Sequence, residues 1–217
     1  MAKLYSNIDS GNAYKVRLLA SLIGQDLEVI ELSLSKNEQH DPSFQAINPK
    51  GEVPTLVDGS NIITDSSAIL VYIAGKKPDS KFWSTDIAEQ AAIVDWLAFA
   101  NSWVQFGVFT ARAVLSFGGQ FNGLGSSVSP TTYEEGVKRG KRSLEILDER
   151  LRERDWLALE RPTIADIAVF PYIALAPMGD ISLEPYENVL KWIVRIKALK
   201  SFIPATGMDD PMYYRRK

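Results

Sequence analysis

The chain has 217 residues, 46% of them hydrophobic and 24% charged, and a net charge of −3. That is enough length to bury a sizeable core as one large domain or two small ones. The slight acidic excess argues against a nucleic-acid partner. No apolar run reaches the roughly 18 residues that would suggest a membrane-spanning helix. The opening MAKLYSNIDS lacks the basic-then-apolar layout of a secretory signal, so a cytoplasmic address with no membrane contact is expected.

Cysteine is absent and His40 is the sole histidine. Disulfides and cysteine nucleophiles are therefore excluded, and no metal site is expected. A serine hydrolase would have to use His40, but no G-x-S-x-G elbow is present to partner it. The run GGQFNGLG at Gly118–Gly125 matches neither the P-loop nor the dinucleotide fingerprint. If the chain is an enzyme, its reactive group arrives with a ligand.

In chain order, Lys3–Ser6 predicts a strand and Ser10-Gly11-Asn12 a turn. Tyr14–Ile23 predicts a helix with Val16, Leu19, Ala20 and Ile23 inward and Lys15 and Arg17 outward. Leu27–Leu34 predicts a second strand, followed by a loop through Lys36–Asp41 and a short helix at Pro42–Ile47. Val53–Val57 and Asn61–Thr64 read as a hairpin around Asp58-Gly59. Pro54, with no N–H for a ladder, calls for an edge position, a bulge or a cis bond. Asp65-Ser66-Ser67 opens a further helix. The order βαβ, α, ββα predicts an α/β domain built on a mixed four-stranded sheet.

The polar, proline-containing stretch Gly75–Ser84 reads as a linker. The division expected is 1–76 for the α/β domain, 77–85 for the linker and 86–217 for an all-helical domain. There Asp86–Phe117 predicts a long helix with Ile87, Ala91, Val94, Leu97 and Ala98 at core spacing and a possible bend at Gly107. Gly118–Pro130 reads as a loop, and Tyr133–Arg154 as an amphipathic helix. Ile164–Leu175 opens on a Thr163/Asp166 capping box and is apolar all round, so it should be the buried centre. Asn188–Ala198 carries Leu190, Ile193, Val194 and Lys197 at helical period. The tail Met212–Lys217 mixes two tyrosines with three cations.

Four segments in this order resemble the cytosolic glutathione transferase superfamily across essentially the whole chain. They are S-G-N-x-Y-K-V-R-L at Ser10–Leu18, N-P-K-G-E-V-P-T-L at Asn48–Leu56, D-S-S-A-I-L-V-Y at Asp65–Tyr72 and R-P-T-I-A-D-I-A at Arg161–Ala168. The chain looks most similar to bacterial and fungal members with serine or asparagine beside the thiol. The resemblance implies a thioredoxin-like N-terminal domain, a helical C-terminal domain, glutathione as co-substrate, a small-molecule electrophile as second substrate, and a homodimer.

It also implies site residues. Ser10 or Asn12 would stabilise the glutathione thiolate from the start of the first helix, although either is equally suited to be that helix's N-cap. Val53 would offer its backbone to the cysteinyl unit beside a cis Pro54. Asp65 and Ser66 would hold the γ-glutamyl ammonium and carboxylate. Gln39, His40 and Lys50 are candidates for the glycyl carboxylate, whereas Glu52 would repel it or face solvent. Trp103, Phe106, Phe109, Arg112 and Tyr213 are candidates for the electrophile pocket. Arg112, a lone cation in an apolar region, either orients an anionic or carbonyl-bearing electrophile or is satisfied within the protein. The lack of cysteine disfavours members that form a mixed disulfide with glutathione. Isomerase, peroxidase and ether-cleaving variants stay open, as does a non-catalytic regulatory or scaffold protein on the same fold.

Overall fold

The structure, a computed structural model, describes residues 1–118 and 130–216. The predicted loop Gly118–Pro130 therefore lies almost wholly outside the described residues. The first half runs β1 (Ala2–Ser6), α1 (Gly11–Leu22), β2 (Leu27–Glu31), α2 (Pro42–Gln45), β3 (Thr55–Asp58), β4 (Asn61–Thr64) and α3 (Ser66–Gly75). The strands form one mixed sheet in the order β2-β1-β3-β4. β1 pairs parallel with β2, Leu4 facing Val29, and antiparallel with β3, Leu4 facing Leu56. This is the expected thioredoxin-like arrangement.

Local chemistry moves several predicted boundaries. β2 stops at Glu31, short of Leu34, because the chain leaves the ladder after Leu32 donates to the Ser6 carbonyl and enters two 3-10 turns, Leu34–Lys36 and Glu38–His40. β3 begins at Thr55 because the Val53–Pro54 bond is cis and the proline has no N–H to pair. The hairpin turns on Gly59 and Ser60, since Asp58 still pairs with Asn61. The Asp58 carboxylate accepts from the Tyr72 hydroxyl at 3.0 Å and pairs with Lys76, fastening the hairpin to α3.

The second half is helical: α4 (Ile87–Phe99), a π-helical stretch (Ala100–Phe109), α5 (Thr110–Phe117), α6 (Pro130–Arg150), α7 (Ile164–Ala174) and α8 (Glu187–Lys197). Every residue of α7 is buried, as its almost wholly apolar sequence predicts. Its start is fixed by Asp166, whose carboxylate accepts from Thr163 N at 2.9 Å, Leu157 N at 3.0 Å and the Trp192 indole at 3.0 Å. The linker is packed rather than loose: Phe82 is buried, and its carbonyl accepts from Ile164 N.

Helical period identified these elements better than it identified their buried faces. α4 and its continuation bury Ile93, Leu97, Ala100 and Val104, leaving the predicted core residues Ile87 and Val94 exposed. α8 likewise buries Val189, Trp192, Ile193 and Ile196 instead of Leu190 and Val194. The largest reversal is in α1, where Lys15, expected outside, is only 1% exposed. α3 and α7 both pack on that helix, so it keeps little solvent face. Gly11 shows how close the contact is: a Cβ there would stand 2.5 Å from the Tyr172 ring.

Candidate active site

A cleft of about 990 Å³ opens where the end of β1 and the N-termini of α1 and α3 face the π-helical stretch, α5 and α7. Ser10 caps α1, its Oγ accepting the Ala13 N–H at 3.2 Å. Asn12, in the first turn, receives a hydrogen bond at 3.5 Å from the Ser66 hydroxyl on its Oδ1. Asp65 caps α3, with Oδ1 accepting from Ser67 N at 2.8 Å and Ala68 N at 3.4 Å. It does so from a φ of 75°, a conformation L residues rarely adopt and one found often at ligand clamps. Two helix N-termini, each favourable to negative charge, thus meet in one cleft beside the Val53–Pro54 corner.

Ser10, Asn12, Gln39, Val53, Asp65, Ser66, Phe109 and Arg112 all line this cleft. Pro54 is buried behind Val53 and shapes the corner without forming wall. His40 and Lys50 also stand off the wall, His40 being packed where a Cβ on Gly51 would touch its Nδ1 at 2.8 Å. Gln39 is the member of that group at the cleft, 4% exposed and with its amide oxygen lacking a hydrogen-bond partner. Glu52 lines the cleft rather than facing only solvent. With Asp9, Glu31, Glu38 and Asp65 it sets carboxylates around the wall, against Arg112 as the cation among the described lining residues. An anionic ligand here depends on neutral donors and helix N-termini more than on counter-ions.

Trp103 and Phe106 do not reach the cleft; Phe106 is 62% exposed. The reason is the winding. A π-helix bonds i to i+5 and holds more residues per turn than the 3.6 of an α-helix. Four residues fall short of one π turn and overshoot one α turn, so the two drifts oppose across the junction at Phe109, and Asn101, Gln105, Phe109, Ala113 and Phe117 line the cleft together with Arg112. Asn101 is also tied to the start of α3, accepting from the Ser67 hydroxyl at 3.1 Å. Tyr213 packs edge-on against Tyr214 behind the wall.

Two residues gain importance that sequence reading did not give them. Lys15 lies one turn below Asn12, its ammonium 5.3 Å over the Tyr172 ring, and burial pushes its pKa down to about 8 against the pull of Asp65. Tyr172, 2% exposed on α7, lines the cleft against the start of α1, where a Cβ on Gly11 would meet its ring. Burial holds its phenol well above the usual range. Nothing in an all-apolar helix flags a tyrosine as more than core. Its proximity to the start of α1 arises only through tertiary packing.

Arg112 is 2% exposed. It donates from Nε to Met178 Sδ and from Nη2 to the Asp9 carbonyl, both at 3.4 Å. Its guanidinium lies 5.0 Å from the Phe117 ring centre and 5.4 Å from that of Tyr214. The Tyr214 hydroxyl in turn donates to Asp9 Oδ1 at 2.8 Å, which seats the C-terminal segment behind the cleft.

Comparison with known proteins agrees with this architecture. Residues 1–75 match the family pattern described as glutathione S-transferase, N-terminal domain, and residues 110–200 the one described as glutathione S-transferase, C-terminal domain. The disulfide-bond oxidoreductase YfcG of Escherichia coli is 30% identical over 203 residues, covering 90% of this chain and 88% of that protein. A zeta-class glutathione S-transferase of Euphorbia esula is 37% identical, over 63% of this chain and 57% of that protein. A solved structure of a possible glutathione S-transferase from Rhodopseudomonas palustris superposes with a TM-score of 0.83 at 29% identity, covering 96% of this chain and 98% of that one. The chain belongs to the glutathione S-transferase family of glutathione-dependent enzymes.

Proposed function

We propose that the cleft binds glutathione, raises the fraction present as thiolate and transfers it to a small, largely apolar electrophile. The observation that carries this reading is the meeting of two capped helix N-termini at the cis Val53–Pro54 corner of one cleft. A thiol of pKa about 8.5 is mostly protonated at neutral pH, and lowering it by about two units takes roughly 2.7 kcal/mol of preferential anion stabilisation. The Ser10 hydroxyl, the Asn12 amide and the positive end of α1 supply donors of the right kind. Asp65 Oδ2, free of the cap bonds made by Oδ1, takes the γ-glutamyl ammonium. Ser66 and the first N–H groups of α3 take its carboxylate. The Val53 backbone pairs with the cysteinyl unit, and the Gln39 amide meets the glycyl end. Phe109, Ala113 and Phe117 form the apolar wall for the second substrate.

The same reading assigns residues 1–76 to glutathione, 77–85 to a linker and 86–217 to the electrophile, in a cytoplasmic homodimer. Exposed Val94, Trp103 and Phe106 along one helical path offer apolar surface for the second copy. A second use of the thiolate, attack on a disulfide, is favoured by the similarity to YfcG. Because this chain has no cysteine, glutathione itself would then be the attacking thiol.

Ser10→Ala, Asn12→Ala and Asp65→Ala separate these roles. Loss of an activating donor is expected to lower turnover by about 10²-fold with little change in glutathione affinity. Asp65→Ala is expected to weaken glutathione binding about tenfold or more, as loss of a charge-assisted contact does. It also removes a helix cap worth about 1 kcal/mol, so titrations belong well below the melting temperature. Unchanged turnover in both the Ser10 and Asn12 variants, with unchanged affinity in the Asp65 variant, would reject the assignment. Binding without turnover of electrophiles or disulfides would mark a regulatory or scaffold protein instead.

A further inference from the structure

The wall that meets the glycyl end of the peptide carries the wrong charge for a free carboxylate. It is built by the end of β2, the two 3-10 turns and the residues just before β3. Glu31, Glu38 and Glu52 stand on it, and among the described residues of these segments no cation does. Lys36, His40 and Lys50 all lie off it. Two of the carboxylates are held by backbone N–H groups. Glu38 Oε2 accepts from Ser33 N at 2.7 Å, which leaves its Oε1 without a partner among the described residues. Glu31 Oε1 accepts from Ile8 N, and Arg17 attracts this charge without lining the cleft. Neither side chain can swing away from a ligand without losing a charge-assisted bond.

Gln39 gives an independent sign of what belongs here. Its side chain lines the cleft and is 4% exposed, yet its amide oxygen has no hydrogen-bond partner. A buried acceptor left unpaired is costly, and each one calls for a donor. A carboxylate has no proton to give it, whereas an amide N–H does. The backbone of Gln39 also packs against the residue before Glu52, since a Cβ on Gly51 would stand 3.1 Å from the Gln39 carbonyl oxygen. Glu38, Gln39 and Glu52 therefore form one continuous surface: an unmet acceptor flanked by negative charge.

We propose that this end of the cleft is a subsite for a cationic amide, and that the thiol co-substrate it favours is glutathione whose glycyl carboxylate is joined through an amide to an aliphatic amine. The inference rests on the reading of the cleft as a glutathione site. The amide N–H donates to Gln39 Oε1. The ammonium of the amine lies against Glu38 and Glu52, with the Ser33 and Ser35 hydroxyls, 3.2 Å apart, as further acceptors on the same wall. Glutathione itself still binds through Asp65, Ser66 and Val53, but its glycyl carboxylate faces like charge. Capping that carboxylate touches no atom near the sulfur, so the thiol chemistry is the same for both peptides.

Isothermal titration of the native protein with three thiol peptides tests the assignment: glutathione, its uncharged glycyl amide and its glycyl aminopropyl amide. At low salt the uncharged amide is expected to bind about fivefold tighter than glutathione, and the aminopropyl amide about tenfold tighter again. The second gain should shrink severalfold in about 0.5 M salt, because the carboxylates are only partly buried. Glu38→Gln keeps an oxygen for Ser33 N, and together with Glu52→Gln it should bring the two amides within about threefold of each other. Thermal unfolding monitors the fold of that double variant, and the comparison in the native protein stands without it. Glutathione binding as tightly as the aminopropyl amide overturns the inference and leaves the glutathione reading in place. So do two amides of equal affinity, or an aminopropyl advantage that survives the double substitution. A native protein that binds none of the three peptides removes both readings.

Discussion

Lys15 shows what a single buried residue costs and how it is tolerated. Its pKa falls from 10.5 to about 8, chiefly through desolvation. Between those two values the folded state binds fewer protons than the unfolded state, so stability rises with pH across that window and is lowest below it. A shift of that size corresponds to about 3 kcal/mol of relative destabilisation at neutral pH. The stacked Tyr172 ring and the charge on Asp65 offset part of the desolvation. Lys15→Met is therefore expected to raise the unfolding free energy at pH 7 by about 1–3 kcal/mol and to flatten its rise between about pH 8 and 10. Urea titrations at stepped pH measure both, and an unaltered slope would falsify the assignment of that rise to Lys15.

The same residue marks the limit of what is legible in sequence at this scale. Ser10, Asn12, Asp65 and Ser66 can be found because a cap and its helix are neighbours in the chain, and their chemistry is readable from local order. Lys15 is misjudged, and Tyr172 is not singled out, because the contact that joins them spans more than a hundred residues of sequence. Periodicity places a lysine outward by default, and only the packing of α7 on α1 reverses it.

At the scale of elements, secondary-structure type is legible almost throughout, whereas rotational phase is not. A period of 3.6 identifies α4 and α8 as helices, but the choice of buried face depends on neighbours. The π-helical stretch Ala100–Phe109 then shifts the phase further, turning Trp103 and Phe106 away from the cleft and Asn101 and Gln105 into it. Gly107 near its end has a packing role: a Cβ there would meet Gly140 N at 2.8 Å and Gly140 Cα at 2.9 Å, both backbone atoms of α6. Neither can yield as a flexible side chain can. Gly107→Ala is expected to cost about 2–3 kcal/mol, in the range of overpacked cores. Gly75→Ala, in open space near the end of α3, is expected to be neutral or stabilising by up to about 1 kcal/mol. Thermal or denaturant unfolding of the pair compares a close crossing with an open helix end. Equal effects would mean that α6 can move away from Gly107.

Across the whole molecule, the C-terminal segment connects parts that sequence order keeps far apart. Beyond α8 the chain returns to α1, where the Tyr14 hydroxyl donates to the Ile203 carbonyl at 2.6 Å and the Ser21 hydroxyl to the Ser201 carbonyl at 2.7 Å. It then passes behind the cleft. Arg215 donates to the Met178 carbonyl at 2.6 Å and pairs with Asp180 at 2.8 Å. Tyr214 joins Asp9, Phe117 and Arg112 in a single stack. The tyrosines of MYYRRK leave folding over the pocket and disorder equally open when read alone; the docking contacts are what set Tyr214 in place. Because it sits behind the wall, Tyr214 acts by holding Phe117 and Arg112 in position. Loss of one aromatic contact of this kind is worth about 1 kcal/mol, or about fivefold in an equilibrium constant. Tyr214→Ala is therefore expected to raise KM for the electrophile about fivefold while leaving glutathione affinity within about twofold, because Asp65 and Ser66 are held by the start of α3 and Val53 by the corner before β3. Tyr214→Phe keeps the ring stack and loses only the bond to Asp9, so it should fall nearer the native enzyme. If both variants weaken glutathione as much as the electrophile, the tail supports the whole cleft and not its helical wall alone.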